Sequence, residues 1–105
     1  MLAGVEYQLV VQFAADSLQD FDRLVALETT LVEKLSDIAT VDGHDFGLGK
    51  FNIFMLTDDP AAAFTEAHEI VREETIPSDL RSAYRRMSGG KYVTLWPSSL
   101  ADFSL

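Results

Sequence analysis

The sequence contains no cysteine, which excludes disulfides and metal sites built from thiolates. Its apolar runs are a few residues long, far short of the roughly 20 residues needed to cross a bilayer. Glu6 interrupts the apolar residues near the N-terminus and no basic residue precedes it, so we expect no signal peptide. These absences predict a soluble protein of the reducing cytoplasm.

Basic residues are also scarce. The chain has 8 Lys and Arg against 17 Asp and Glu, which gives a formal net charge of −9. Proteins that bind nucleic acid nonspecifically neutralise phosphates with Lys and Arg, and anionic membranes repel a negative protein. The balance therefore predicts no nucleic-acid or membrane partner. It suits a basic protein partner, as in an immunity-type or adaptor role.

What the chain does have is enough apolar material for one core. It is 105 residues long and 48% hydrophobic, which is the size and composition of a single domain spanning residues 1–105. No internal repeat or low-complexity linker divides it.

The first half of the chain predicts a strand, a helix and a hairpin. Apolar residues alternate through residues 5–13, which is the pattern of a strand with one buried face. Ser17 is placed to cap an amphipathic helix that ends near Asp37. Residues 38–46 and 50–57 then predict the two arms of a hairpin, with glycines at 47 and 49 in its turn.

The second half predicts two helices and a strand. Asp59 followed by Pro60 is a typical helix start, and Pro77 ends that helix. Residues 78–87 predict a short helix because their apolar residues have helical spacing, and the glycines that follow would end it. Residues 91–96 predict the last strand. The tail beyond Ser98 is expected to form one helical turn that places Leu100 and Phe103 against the body.

This element order predicts an α+β fold of the β-α-β-β-α-β, ferredoxin-like kind. The sheet would have four mainly antiparallel strands, helices on one face, and the extra short helix before the last strand. Strand 50–57 is apolar on both faces, with Phe51 on one and Phe54 on the other. Because large apolar patches are rarely left bare, a second copy, the C-terminal tail or a ligand should cover the second face. A homodimer is preferred, since two-fold pairs are the commonest oligomers.

The polar part of the hairpin offers a first candidate site. Asp42 and His44 face the same way on a strand, a spacing that suits a metal ligand pair or a positioned general base. Metal sites usually need three or four ligands, so a polar segment near a loop is the preferred interpretation. The Gly-Leu-Gly-Lys run at 47–50 lacks the spacing of a phosphate loop and predicts a turn.

Other candidates lie in the second half. His68 falls on the apolar stripe of a helix, where histidines are mostly structural. Half of the basic residues fall within eleven positions, namely Arg81, Arg85, Arg86 and Lys91. They would bind an anion or an acidic partner, or else pair internally with acidic residues, namely Glu73, Glu74 and Asp79, which is the preferred interpretation. Tyr92 and Trp96 would share a face and stack bases in an RNA binder, but the charge favours an interface or core role.

Two resemblances bear on these predictions. The stretch Val41–Phe54, followed by Thr57-Asp58-Asp59-Pro60, resembles small bacterial α+β proteins with a similar Gly-rich hairpin, and this implies no particular activity. The order of elements is similar to that of the dimeric α/β-barrel group, which includes small monooxygenases. That second resemblance implies a fold in which a pocket can lie between sheet and helices.

We therefore carry two functions forward from the sequence. The first is a nonenzymatic interaction module, dimeric through its sheet and without cofactor or metal. The alternative is a small enzyme or ligand-binding protein, monooxygenase-like, for which the candidate catalytic residues are His44, Asp45, Asn52 and Arg86. A deep cavity lined by His44 or Asn52 would favour the enzyme, whereas a filled core would favour the interaction module.

Overall fold

The described residues, 6–15, 17–74 and 79–105 in a computed structural model, form an α+β fold with a five-stranded antiparallel sheet and two helices. The elements in chain order are β1 (Tyr7–Ala14), α1 (Leu18–Lys34), β2 (Thr40–Gly47), β3 (Lys50–Thr57), α2 (Pro60–Glu73), β4 (Arg81–Arg86) and β5 (Gly89–Trp96). None of the helices in this described part is long and apolar enough to cross a membrane.

The first strand lies at the centre of the sheet. The strand order is β2-β3-β1-β4-β5, and every neighbouring pair is antiparallel. Leu9 of β1 is opposite Met55 of β3 on one side and Tyr84 of β4 on the other. Since β1 and β2 both run antiparallel to β3, they are parallel to each other, as predicted for strands joined by one helix.

Both helices begin where the sequence predicts. The Ser17 hydroxyl accepts a hydrogen bond from the backbone N–H of Asp20 at 3.1 Å. The Asp59 carboxylate does the same for the N–H of Ala62 at 3.1 Å, with Pro60 in the first turn. Each cap satisfies a backbone donor that the helix itself leaves unpaired.

The core lies between the two helices and one face of the sheet. Its strand residues are alternate positions of β1 and β3, which therefore point to the same side. Its large members are Leu9, Val11, Phe13, Leu24, Leu27, Leu31, Leu35, Phe51, Ile53, Met55, Phe64, Ile70, Val71 and Leu80. Phe51 is fully buried here, in agreement with the prediction for β3.

The β2–β3 turn also agrees with the prediction. Its central residues, Leu48 and Gly49, have φ angles of 54° and 76°. Positive φ at both positions is the pattern of a type I′ turn, whose twist matches that of the flanking strands. Leucine is costly in this conformation, and its side chain is 99% exposed here.

The short helix predicted at 78–87 is wrong, and so is the four-stranded sheet. Residues 81–86 form β4, which pairs with the free edge of β1. Helical spacing over so few apolar residues does not distinguish a helix from a strand, and pairing with a central strand decides the outcome here. The glycines at 89 and 90, predicted to end that helix, have φ angles of 115° and 108° and begin β5. Residues 75–78, which hold the predicted cap, lie outside the described part.

An irregular register in the β4–β5 pair separates Tyr92 from Trp96. Ser82 is opposite Trp96 while Ala83 is opposite Thr94, so Leu95 is an extra residue on β5. Such a bulge reverses the alternation of side chains beyond it. Trp96 consequently packs near His68 at 4.9 Å on the helical side, and the prediction that it shares a face with Tyr92 is wrong.

Candidate functional site

The face of the sheet that points away from the helices is called the open face. Directly opposed residues of neighbouring strands share a face, so the register identifies its members. They include Gln8, Val10 and Gln12 of β1, Asp45 of β2, Lys50, Asn52, Phe54 and Leu56 of β3, Arg81, Ala83 and Arg85 of β4, and Tyr92 and Thr94 of β5. Val10 and Ala83 are both 0% exposed, so other residues must cover them.

The cover is the C-terminal segment, residues 97–105, called the tail. It reverses direction in a turn closed by the N–H of Leu100 and the carbonyl of Pro97 at 2.9 Å. The Phe103 ring then lies 5.3 Å from the ring of Tyr92. The tail, one of the three covers that the sequence allows, thus lies over part of the open face, and its contact begins with a hydrogen-bonded turn instead of a helical one. The preferred homodimer stays a prediction.

Side chains of the open face bind the main chain of the tail. Gln12 donates from Nε2 to the carbonyl of Ser104 at 2.9 Å, and Lys50 donates from Nζ to the same oxygen at 3.4 Å. Thr94 donates from its hydroxyl to the carbonyl of Leu100 at 3.2 Å. These contacts depend on the backbone of the tail and are indifferent to its side chains.

A buried polar layer lies beneath the tail. Gln12 also donates from Nε2 to Oδ1 of Asn52 at 2.9 Å, and the two residues are only 4% and 3% exposed. Tyr92 donates its hydroxyl to Oε1 of Gln8 at 2.9 Å. Because buried amides are costly without partners, this network fixes both the sheet surface and the place of the tail.

The open face carries positive charge on an otherwise acidic protein. Lys50 and Arg81 line an open cleft of about 210 Å³ together with Asp79. Arg81 forms no ion pair with any described residue. The Arg85 guanidinium lies over the Tyr92 ring, 5.7 Å from its centroid, and so adds a third cation.

His44 lies on the opposite face, and its partner is Glu28 and not Asp42. Its Nδ1 is 2.8 Å from Oε1 of Glu28 in α1, and its ring stacks on Phe51 with centroids 4.8 Å apart. Asp42 falls at an irregularity of the β2–β3 register and does not pair with it. A histidine held by a carboxylate is a recognised arrangement for a general base, but here the pair joins α1 to the edge strand.

The four candidate catalytic residues do not converge. Asp45 and Asn52 are opposed on the open face, where Asn52 is occupied by Gln12. His44 lies on the helical side of the sheet. Arg86 pairs with Glu6 at 3.3 Å and lies 5.4 Å from the Tyr7 ring, at the far end of β1.

The four candidate catalytic residues also share none of the clefts that described residues line. Neither His44 nor Asn52 lines the open clefts beside α1, at the β2–β3 turn or at the start of α2. The space between the sheet and the helices is filled by the core. Within the described part, no three His, Asp or Glu side chains are grouped as a metal site would need.

The remaining sequence candidates have structural partners. His68 stacks on Phe64 with centroids 5.2 Å apart, as expected for a residue at the core edge. Among the four clustered cations, Arg86 does pair internally, but its partner is Glu6 and not Glu73, Glu74 or Asp79.

Gln12 and Thr94, which bind the tail, are not among the residues predicted from the sequence. Gln8 and Gln12 alternate with Val10 on the polar side of a central strand, and amides at such positions need partners. This pattern in the sequence indicates that Gln12 has a hydrogen-bond partner on that side of the strand.

Comparisons with known proteins add no relative. A scan of protein-family models, a search of curated proteins and a search of solved structures each returned no match.

Proposed function

We propose that this chain is a nonenzymatic protein-interaction module whose open face receives an extended segment of polypeptide. One observation carries the proposal: Gln12, Lys50 and Thr94 donate to main-chain carbonyls of the tail. A surface that binds backbone oxygens accepts segments of varied sequence. Contact with the Tyr92 ring adds a preference for segments that carry an aromatic side chain at the position of Phe103. In this state the tail itself occupies the surface.

A second copy of the chain remains part of the proposal. Phe54 and Leu56 lie on the open face beside β2 and are only half-buried. Apolar residues in this position support dimerisation through that half of the sheet. A basic protein would instead be attracted to the acidic remainder of the molecule, since all 17 acidic residues lie outside the β4–β5 hairpin.

The strand order supports a ferredoxin-like relationship. β3 separates β1 from β2, and β1 separates β3 from β4, so both strand-helix-strand units are split by another strand. A β-α-β-β-α-β sandwich with β5 added at its outer edge would have this strand order.

A binding experiment on the full chain tests the proposed surface. A labelled peptide with the sequence of residues 97–105 is titrated with wild-type chain and with the Phe103→Ala variant, and fluorescence anisotropy is measured. The wild-type tail competes from a short tether, which gives it a high effective concentration. Loss of the Phe103 ring weakens that competitor, so the variant should bind the peptide at least about tenfold more tightly.

Phe46→Ala is the matched control. Phe46 is also partly exposed, at 42%, but it lies on the helical side of the sheet. The control should bind the peptide as weakly as wild type does. Equal affinity of all three chains, or no binding by the Phe103→Ala chain, contradicts the proposal. Light scattering on the same samples reports whether the mass is that of one 11.6 kDa chain or two.

The alternative, a small enzyme, has one observation in its favour, which is the His44–Glu28 pair. A substrate pocket between sheet and helices would have to coincide with the packed core residues, and the other three candidates lie elsewhere. The interaction module therefore has the stronger support.

A further inference from the structure

We infer that the segment received by the open face is acidic and carries an aromatic side chain. This inference rests on the proposed function and names the chemistry of the partner segment. Two neighbouring parts of the open face support it, one aromatic and one cationic.

The aromatic requirement comes from Tyr92. Its ring contacts Phe103 edge-on, with centroids 5.3 Å apart and planes at 61°. Its hydroxyl is held by Gln8, and the Arg85 guanidinium lies over the ring. These contacts fix the orientation of Tyr92 before a partner binds. Binding of a partner ring therefore costs little conformational entropy in the Tyr92 side chain.

The acidic requirement comes from Lys50 and Arg81. Arg81 is directly opposite Gln12, whose amide binds the carbonyl of Ser104, and Lys50 reaches the same oxygen. Both cations therefore flank the point where residue 104 of the tail lies. A carboxylate in that residue of an incoming segment would lie within the reach of two cations.

The tail meets these requirements only in part. It provides the ring of Phe103 and one acidic residue, Asp102, while position 104 is a serine. The lining of the cleft does include one carboxylate, Asp79, whose Oδ1 accepts a hydrogen bond from the N–H of Ala14 at 3.4 Å. Two cations against one carboxylate leave the lining of the cleft positive, although Asp45 also lies on the open face. A partner segment with an acid at position 104 gains contacts that the tail lacks and displaces it.

The test compares peptides that differ only at that position. Peptides of residues 97–105 with Ser104→Glu and with Ser104→Lys are titrated into the full-length Phe103→Ala chain, at low and at high salt. The Glu peptide should bind about fivefold more tightly than the Lys peptide at low salt, and the difference should shrink at high salt. Adding Arg81→Ala to the chain should reduce the difference.

Lys91→Ala in the same background is the matched control, because Lys91 belongs to the same hairpin but alternates with Tyr92 and points away from the open face. It should preserve the difference between the peptides.

Equal affinities of the two peptides, or tighter binding of the Lys peptide, overturn the acidic preference while leaving the proposed function standing. Failure of both of these peptides and of the unmodified one to bind overturns both proposals. In that case a doubled mass by light scattering would assign the open face to a second copy.

Discussion

Gln12 is the residue that joins the sheet to the tail. Its amide nitrogen donates both to Asn52 and to the main chain of Ser104, and the residue is 4% exposed. A glutamine in the middle of a central strand would be costly if its partners were absent. The two contacts make this polar position compatible with burial, and they couple the stability of the sheet to the placement of the tail.

Replacing Gln12 by alanine should lower the free energy of unfolding. The change leaves the buried Asn52 side chain without its donor and removes a tail contact, so a loss of about 1–3 kcal/mol is expected in urea denaturation. Gln19→Ala, at an exposed position of α1, should change stability by no more than about 0.5 kcal/mol. Equal stabilities of the two variants would show that the buried amide contributes nothing.

At the scale of elements, local chemistry determines the helices and the first hairpin, whereas tertiary pairing determines β4. Ser17, Asp59 and the turn at 48–49 have local signals in the sequence, and the structure agrees with each of them. Residues 78–87 have apolar spacing that fits a helix, but the free edge of β1 pairs with residues 81–86 instead. The edge belongs to a strand that is far away in the sequence, so no pattern within residues 81–86 predicts the pairing.

The α2 cap provides the test at this scale. Asp59→Ala removes the acceptor for the Ala62 N–H and should lower the free energy of unfolding by about 1 kcal/mol. Asp58→Ala, the exposed neighbour of the same charge, is the control and should have little effect. A chemical denaturation series on both chains measures the difference. A larger loss for Asp58→Ala would contradict the assignment of the cap.

At the scale of the whole molecule, half of the basic residues are concentrated in one hairpin. The β4–β5 hairpin carries four cations and no acid, although the chain has a net charge of −9. The sequence locates this cluster, but only the sheet register brings Arg81 and Arg85 to the same face as Lys50. Likewise, the candidate site depends on the tail crossing from β5 to β1, a long-range contact that composition and periodicity do not encode.

The most direct test of the central claim is a two-dimensional NMR titration. The full-length, isotope-labelled Phe103→Ala chain is titrated with unlabelled peptide of residues 97–105, and amide shifts are followed. The side-chain amides of Gln8, Gln12 and Asn52 and the backbone of β5 should shift, while α1 and α2 should not. Shifts confined to the helices, or an unchanged spectrum, would contradict the account.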